Sequence, residues 1–312
     1  MITVLAGGVG AARFLRGLAR VADPSTITVV SNTGDDFHIY GAHVSPDLDI
    51  VVYTLAGIVD AERGWGIAGD TFRVLEGMRA LGEDSWFTLG DADFATCLAR
   101  ASFLRGGGTA SAFAARLAAA HGVSARLLPM TDDPVATIVT AEGGERMHFQ
   151  EYWVRRRAAD PVAAVELEGA EAAQPAPGVL EAIASAQAVL IAPSNPIVSI
   201  GTILAVPGIR DALRATPAPV VGVSPIVGGA VVRGMADKLM TGLGMEVSCA
   251  GVARLYADVL DGFVIDLVDA AEAAAVAAAA DCAVEVAQTM MRSVEDAAAL
   301  AKSALALAER IR

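Results

Sequence analysis

Apolar and polar positions fall into two recurring blocks along this chain. Short apolar runs end in small, polar turns, and longer amphipathic stretches follow them. "ITVLA", residues 2–6, is such a run; "GGVG" closes it, and "AARFLRGLARV" continues at helical spacing. "TITVVS", residues 26–31, is a second run, followed by the acidic loop "NTGDD". Ile50 to Leu55 is apolar throughout and fits either a strand or the start of a helix. From about 71 to 121 the pattern is helical, broken at "LGDADFAT" and "RGGGTAS". Residues 125–150 read as strands, with a hairpin turning over Glu142–Gly144. "VLEAIASAQAVLIAPSNP" is helix, strand and polar loop, "APVVGVSPIVGG" is strand and rigid loop, and "DGFVIDLVDA" is another strand. A short strand is expected near Val284–Gln288 and a closing amphipathic helix from about Val294 to Arg312. The Pro/Ala/Glu segment 158–178 reads as an exposed connector.

Strands alternating with helices predict an α/β, Rossmann-like fold: a mostly parallel sheet with helices on both faces. The chain, residues 1–312, reads as a single domain with a helical insertion at about 71–121. Ligands in such folds bind at the carboxyl ends of the strands, where every unusual loop here begins.

Composition narrows the function. A net charge of −13 argues against a nucleic-acid binder, which would carry a basic face. It leaves open phosphate-bearing small molecules, which backbone amides, a few arginines and a metal ion can hold. No uncharged apolar run reaches membrane-spanning length, and the amino terminus lacks the basic region of a signal peptide. Cys97, Cys249 and Cys282 are far apart and odd in number, which suits a reduced, cytoplasmic compartment.

Four aspartates, Asp35, Asp36, Asp47 and Asp49, lie between Ser31 and Gly57, a stretch without lysine or arginine. If "SPDLDIVVY" is extended, Asp47 and Asp49 face one side and call for a cation, Mg²⁺ by preference. If a helix begins at Leu48, Asp47 caps it and Asp49 is a first-turn residue. In "GGVGAARF", Gly8 and Gly10 fit a dinucleotide fingerprint, but Arg13 takes its sixth position, so the turn suits a phosphate more than NAD. Asn32 to Asp36 can receive a ribose hydroxyl or form a polar turn. Ser194 and Asn195 offer hydrogen bonds at a strand end, and an Asn amide can read a purine edge. Arg155, Arg156 and Arg157 read as a solvated face, with an anion clamp as the alternative. His148 reads as a packing residue or a local hydrogen bond.

The blocks "GGVGAARFLRGL", "NTGDD", "SPDLDIVVYTLAG", "RGWGIAGDTF", "LGDADFAT", "LLPMTDDPVAT", "MHFQEYWVRRR", "APSNPIVSIGTIL" and "VSPIVGG" with "GMADKLM" occur in this order. Together they resemble the 2-phospho-L-lactate transferase family, the CofD/FbiA type, from residue 1 to about 300. The resemblance implies a homodimeric, Mg²⁺-dependent enzyme of coenzyme F-420 biosynthesis. Such an enzyme moves a phospho-three-carbon-acid group, phosphoenolpyruvyl or 2-phospholactyl, from a guanosine diphosphate-linked donor to the ribityl hydroxyl of the deazaflavin Fo, releasing GMP. It puts Fo at Asp49 and Thr88, and Mg²⁺ at Asp47 and Asp49. The nucleotide falls at Gly7, Gly8, Gly10, Asn32, Ser194 and Asn195, and Asp49 or Asp36 takes the alcohol proton. Related proteins that bind nucleotide sugars and regulate cell shape are the alternative class.

Overall fold

The computed structural model describes residues 1–312. Seven parallel strands form the central sheet: β1 (Ile2–Ala6), β2 (Ile27–Ser31), β3 (Arg126–Pro129), β4 (Ala188–Ile191), β5 (Val220–Val223), β6 (Gly262–Asp266) and β7 (Ala283–Ala287). Their spatial order is β7-β6-β5-β4-β1-β2-β3. The chain therefore leaves β1 toward one edge and returns at β4 toward the other. This reversal opens a crevice at the carboxyl ends of β1 and β4, where doubly wound folds bind ligands.

Strand residues alternate between two cores. Leu5, Val30, Val189, Ile191 and Ile265 pack on one face, while Val4, Val29, Leu190, Val221 and Val264 pack on the other. Each fully buried aliphatic side chain contributes about 1.5–3 kcal/mol, which is why the central strands read as continuous apolar runs. Helices α1 (Gly8–Leu18), α2 (Pro46–Leu55) and the carboxyl-terminal helix Val294–Ile311 cover the second core. The carboxyl-terminal helix begins at a reciprocal cap: Ser293 Oγ accepts from the Asp296 amide, and the Asp296 carboxylate accepts from the Ser293 amide, both at 3.0 Å.

The helical stretch 71–121 appears as α3 (Arg73–Ala80), α4 (Asp91–Arg105) and α5 (Ala110–Ala120). The hairpin over Glu142–Gly144 joins Ala136–Ala141 to Arg146–His148. The expected connector at 158–178 is instead partly a strand: Val162–Glu168 is one of the two outer strands of this three-stranded antiparallel sheet. One side of it faces solvent, so its sequence carries linker-like polarity. Arg146 ties Glu166 and Glu168 across the sheet at 2.6 and 2.9 Å. No single helix is long and apolar enough to cross a membrane.

Helix α1 and the carboxyl-terminal helix touch at Gly17, where a Cβ would overlap the Ala297 backbone. Gly17→Ala forces the helices apart and is expected to cost about 1–3 kcal/mol, as other overpacked sites do. Thermal denaturation should show a lower midpoint for this variant, with ligand affinity per folded molecule unchanged.

Candidate active site

A cavity of about 870 Å³ lies over the crevice. Its floor is the turn after β1 and the loop after β4, stitched together by the Gly7 amide donating to Ser194 Oγ at 3.3 Å. Gly8 opens α1 with φ of +71°, a conformation that favours glycine. Gly10 lines the same floor, but its missing Cβ points at the Pro193 carbonyl oxygen and not into open space. The glycine at position 10 is thus required by packing of α1 on the β4 loop.

The segment holding Asp47 and Asp49 is helical, not extended. Pro46 sits in the first turn of α2 and both carboxylates stand near its positive end. Residues two apart on a helix point different ways, so the two aspartates do not share a face. Asp49 is buried, and its Oδ1 is ion-paired with the buried Arg100 of α4, which also donates to the His43 carbonyl oxygen at 3.0 Å. Burial works against the charge on Arg100, and Asp49 more than offsets it, holding the guanidinium protonated. Asp49 Oδ2 is buried without a hydrogen-bond partner, and Asp49 lines the cavity.

Asp47 shares the cavity with a second carboxylate, Asp35. Both are buried and both line the cavity. Burial pushes the Asp35 carboxyl well up, the charge of Asp47 adds to this, and Asp35 Oδ1 has no partner. Burial pushes Asp47 up to about 6, opposed by Asn32, whose Nδ2 donates to Asp47 Oδ2 at 2.9 Å. The remaining polar atoms of Asn32 are also spent inside the protein, on the Val198 carbonyl oxygen and the Gly34 amide. Asn32 therefore positions Asp47, and it does not line the cavity where a nucleotide was expected to meet it.

Asp36 is likewise occupied. It accepts from Ser45 Oγ at 2.8 Å, meets His43 Nε2 at 3.1 Å, and does not line the cavity. The expected role of proton acceptor does not fit Asp36; of the two adjacent acids, Asp35 lines the cavity. Asn195 Oδ1 accepts from the Ile197 and Val198 amides, which fixes the amide's orientation, and its Nδ2 donates weakly to Met235 Sδ at 3.8 Å, leaving one Nδ2 hydrogen for another group. Thr88 is half-buried on the wall, in the same cavity as Asp49. Arg155 and Arg156 form surface ion pairs with Asp84 and Glu145, as a solvated face should, whereas Arg157 lines the cavity. His148 stacks on Phe37 and accepts from the Gln150 amide.

Comparison with known proteins decides the family. The family description "2-phospho-L-lactate transferase CofD" fits residues 2–304. The chain belongs to the CofD family. It is 51% identical over its full length to a phosphoenolpyruvate transferase of Kitasatospora aureofaciens, covering 98% of that protein. It is also 51% identical to a phosphoenolpyruvate transferase of Streptomyces coelicolor, over 100% of this chain and 99% of the relative. A crystal structure of a UPF0052-family protein from Bacillus halodurans shares the fold. Its TM-score is 0.62 at 16% identity, covering 97% of this chain and 98% of that one.

In this CofD-family chain the sequence reading assigned Asp35 no role of its own and did not single out Asp93 or Arg100. Asp93 accepts from Tyr53 OH at 2.9 Å and lies beside Asp49; burial and the Asp49 charge push it up to about 7. The doubled aspartates "DD" and "DAD" were the available signal for the two acids. Arg100 is 51 residues from its partner and gave none.

Opposite stability effects are expected at Asp47 and Asp49. Asp47 binds its proton at about 6 in the fold against an ordinary 3.8. Its contribution is therefore complete at low pH and is lost as pH rises through 6. Without metal, the ionised pair costs up to about 3 kcal/mol, from a shift of roughly two units. Asp47→Asn should raise the melting midpoint by a few degrees in EDTA near pH 8 and flatten its pH dependence. Asp49→Asn strands a buried Arg100 and should cost about 3–5 kcal/mol. Melting curves of the two variants across pH 4–8 check both signs.

Proposed function

We propose that this CofD-family transferase moves a phosphoenolpyruvyl group from a guanosine diphosphate-linked donor to the primary hydroxyl of the deazaflavin Fo, in coenzyme F-420 biosynthesis. The names of the relatives at 51% identity support the enolpyruvyl group over the lactyl one. The observation that carries the reading is the Asp35–Asp47 pair: two buried carboxylates facing one cavity, one with an orphaned oxygen and neither neutralised by a basic side chain. Such a pair fits a hard divalent cation, which takes a few carboxylates together with substrate phosphate oxygens. Asp35 and Asp47 would hold Mg²⁺; when bound, it supplies neutralisation of the diphosphate charge.

The chain's own groups supply the rest. The glycine turn at Gly7–Gly8 and the start of α1 favour a phosphate beside the metal pair. Asn195 Nδ2 has one weak partner, Met235 Sδ at 3.8 Å, and its second hydrogen matches an acceptor such as the guanine O6 and opposes the amino group that adenine carries in its place. Trp65 and Trp153 line the cavity and offer faces to a planar ring. In the transfer, the Fo hydroxyl oxygen bonds to the phosphorus that carries the three-carbon acid. The bond from that phosphorus to the oxygen of GMP breaks, and GMP leaves with the electron pair. Asp49 lines the cavity, its Oδ2 carries no hydrogen bond, and it would take the hydroxyl proton, with Asp93 beside it. Alignment and charge neutralisation carry most of the rate in such reactions.

Fluorescence titration with Fo and a coupled assay with the enolpyruvyl, lactyl and glyceryl donors test the reading. Expected are Fo binding, Mg²⁺-dependent release of GMP with the enolpyruvyl donor preferred, and loss of turnover in Asp35→Asn. Calorimetry should give GDP an affinity above that of ADP by about tenfold, since a mispaired buried polar group costs about 1–3 kcal/mol. No Fo binding would favour a nucleotide-sugar regulator instead, and full turnover in EDTA would remove the metal.

A further inference from the structure

Behind the main cavity lies a smaller chamber of about 180 Å³. The two share a wall made by Val9, Arg13, Ile50, Met291 and Arg292. Arg13, Arg16 and Arg292 all line the chamber, and none of the three forms an ion pair in a chain with 13 excess negative charges. The carboxylate on its wall, Asp60, is already engaged by Arg63 at 2.9 Å and by the amides of Glu62 and Arg63.

We propose that this chamber is an anion subsite, which receives a compact carboxylate or phosphate group of the substrate through Arg13, Arg16 and Arg292. Arg13 and Arg16 are three residues apart on α1 and so share a helix face. Arg16 Nε is buried with no partner, so its desolvation is uncompensated unless an acceptor enters. The Arg13 guanidinium is pushed below its ordinary range, first by burial and then by the neighbouring charges of Arg233 and Arg16. Mutual repulsion of this kind is relieved by a shared anion, and guanidinium groups bind carboxylate and phosphate through paired N–H donors. The chamber is far smaller than the main cavity, so it suits a small charged group and not a nucleoside. The feature that broke the dinucleotide fingerprint, Arg13 at its sixth position, thereby acquires a use. The cavity becomes polarised, with acids at the glycine turn and uncompensated arginines to one side.

That the anion is part of the substrate rests on the proposed transfer reaction; the chamber's affinity for an anion does not. The test is calorimetry on the full chain with phosphoenolpyruvate, ethyl phosphate and GMP as probes, using Arg16→Met, Arg16→Lys and Arg292→Met. Melting midpoints are measured on each preparation. Arg16→Met should weaken phosphoenolpyruvate by about tenfold or more, the scale of one charge-assisted hydrogen-bond pair. Arg16→Lys should restore much of that affinity, and Arg292→Met should repeat the loss from a different element. GMP affinity should stay within about twofold of wild type, since its phosphate belongs at the glycine turn. Ethyl phosphate tells the sources apart: if it is unaffected, the carboxylate occupies the chamber, and an equal loss places the phosphate there. Wild type that binds neither anion, or phosphoenolpyruvate affinity unchanged in both Met variants, overturns the subsite. Absence of Fo binding by wild type would instead sink the transferase reading and leave the anion result standing.

Discussion

Two carboxylates that repel each other organise the candidate site. Asp35 and Asp47 are buried at the carboxyl end of the sheet, and Asn32 supplies a hydrogen bond but no charge. A fold keeps such an arrangement only when something else stabilises it or when function requires it. Much of the neighbouring structure serves to hold the pair in place. The Asn32 amide is anchored on the Val198 carbonyl oxygen, and a Cβ on Gly7 would sit 2.7 Å from Asp47 Oδ2. The positive end of α2 favours the acids without neutralising them.

Asp49 shows the contrasting solution. It is as deeply buried, but Arg100 reaches it from α4 and the charge is paired. One aspartate thus fastens the helical insertion to the core, and its neighbour two residues away keeps an unmet demand for positive charge. The sheet makes the division possible. Reversal of strand order between β1 and β4 gathers the glycine turn, the Ser194–Asn195 loop and the start of α2 around one crevice.

How far the sequence disclosed this follows from how local each feature is. The parallel strands, the hairpin at Glu142–Gly144 and the closing helix were legible because apolar periodicity is written over a few adjacent residues. Ile50–Leu55 was ambiguous because a helix buried on every side loses its amphipathic stripe. The strand Val162–Glu168 was missed because an outer strand half in solvent has the composition of a linker. Within the site, residue types were easier to read than roles. Asn32, Asp36 and Gly10 stand close to the cavity, but their polar atoms or their missing Cβ answer to protein groups fixed by distant segments. The Arg100 partner of Asp49 and the facing of Asp35 toward Asp47 depend on tertiary contacts with no local sequence signature.

The central claim is that the Asp35–Asp47 pair is completed by a divalent cation. Calorimetric titration of the metal-free chain with Mg²⁺ near pH 6, in buffers of different ionisation enthalpy, tests it most directly. Binding should release protons, because the pair holds them in the metal-free fold, and Asp35→Asn should abolish the binding isotherm. Mg²⁺ binding without proton release, or with unchanged affinity in Asp35→Asn, would contradict the account.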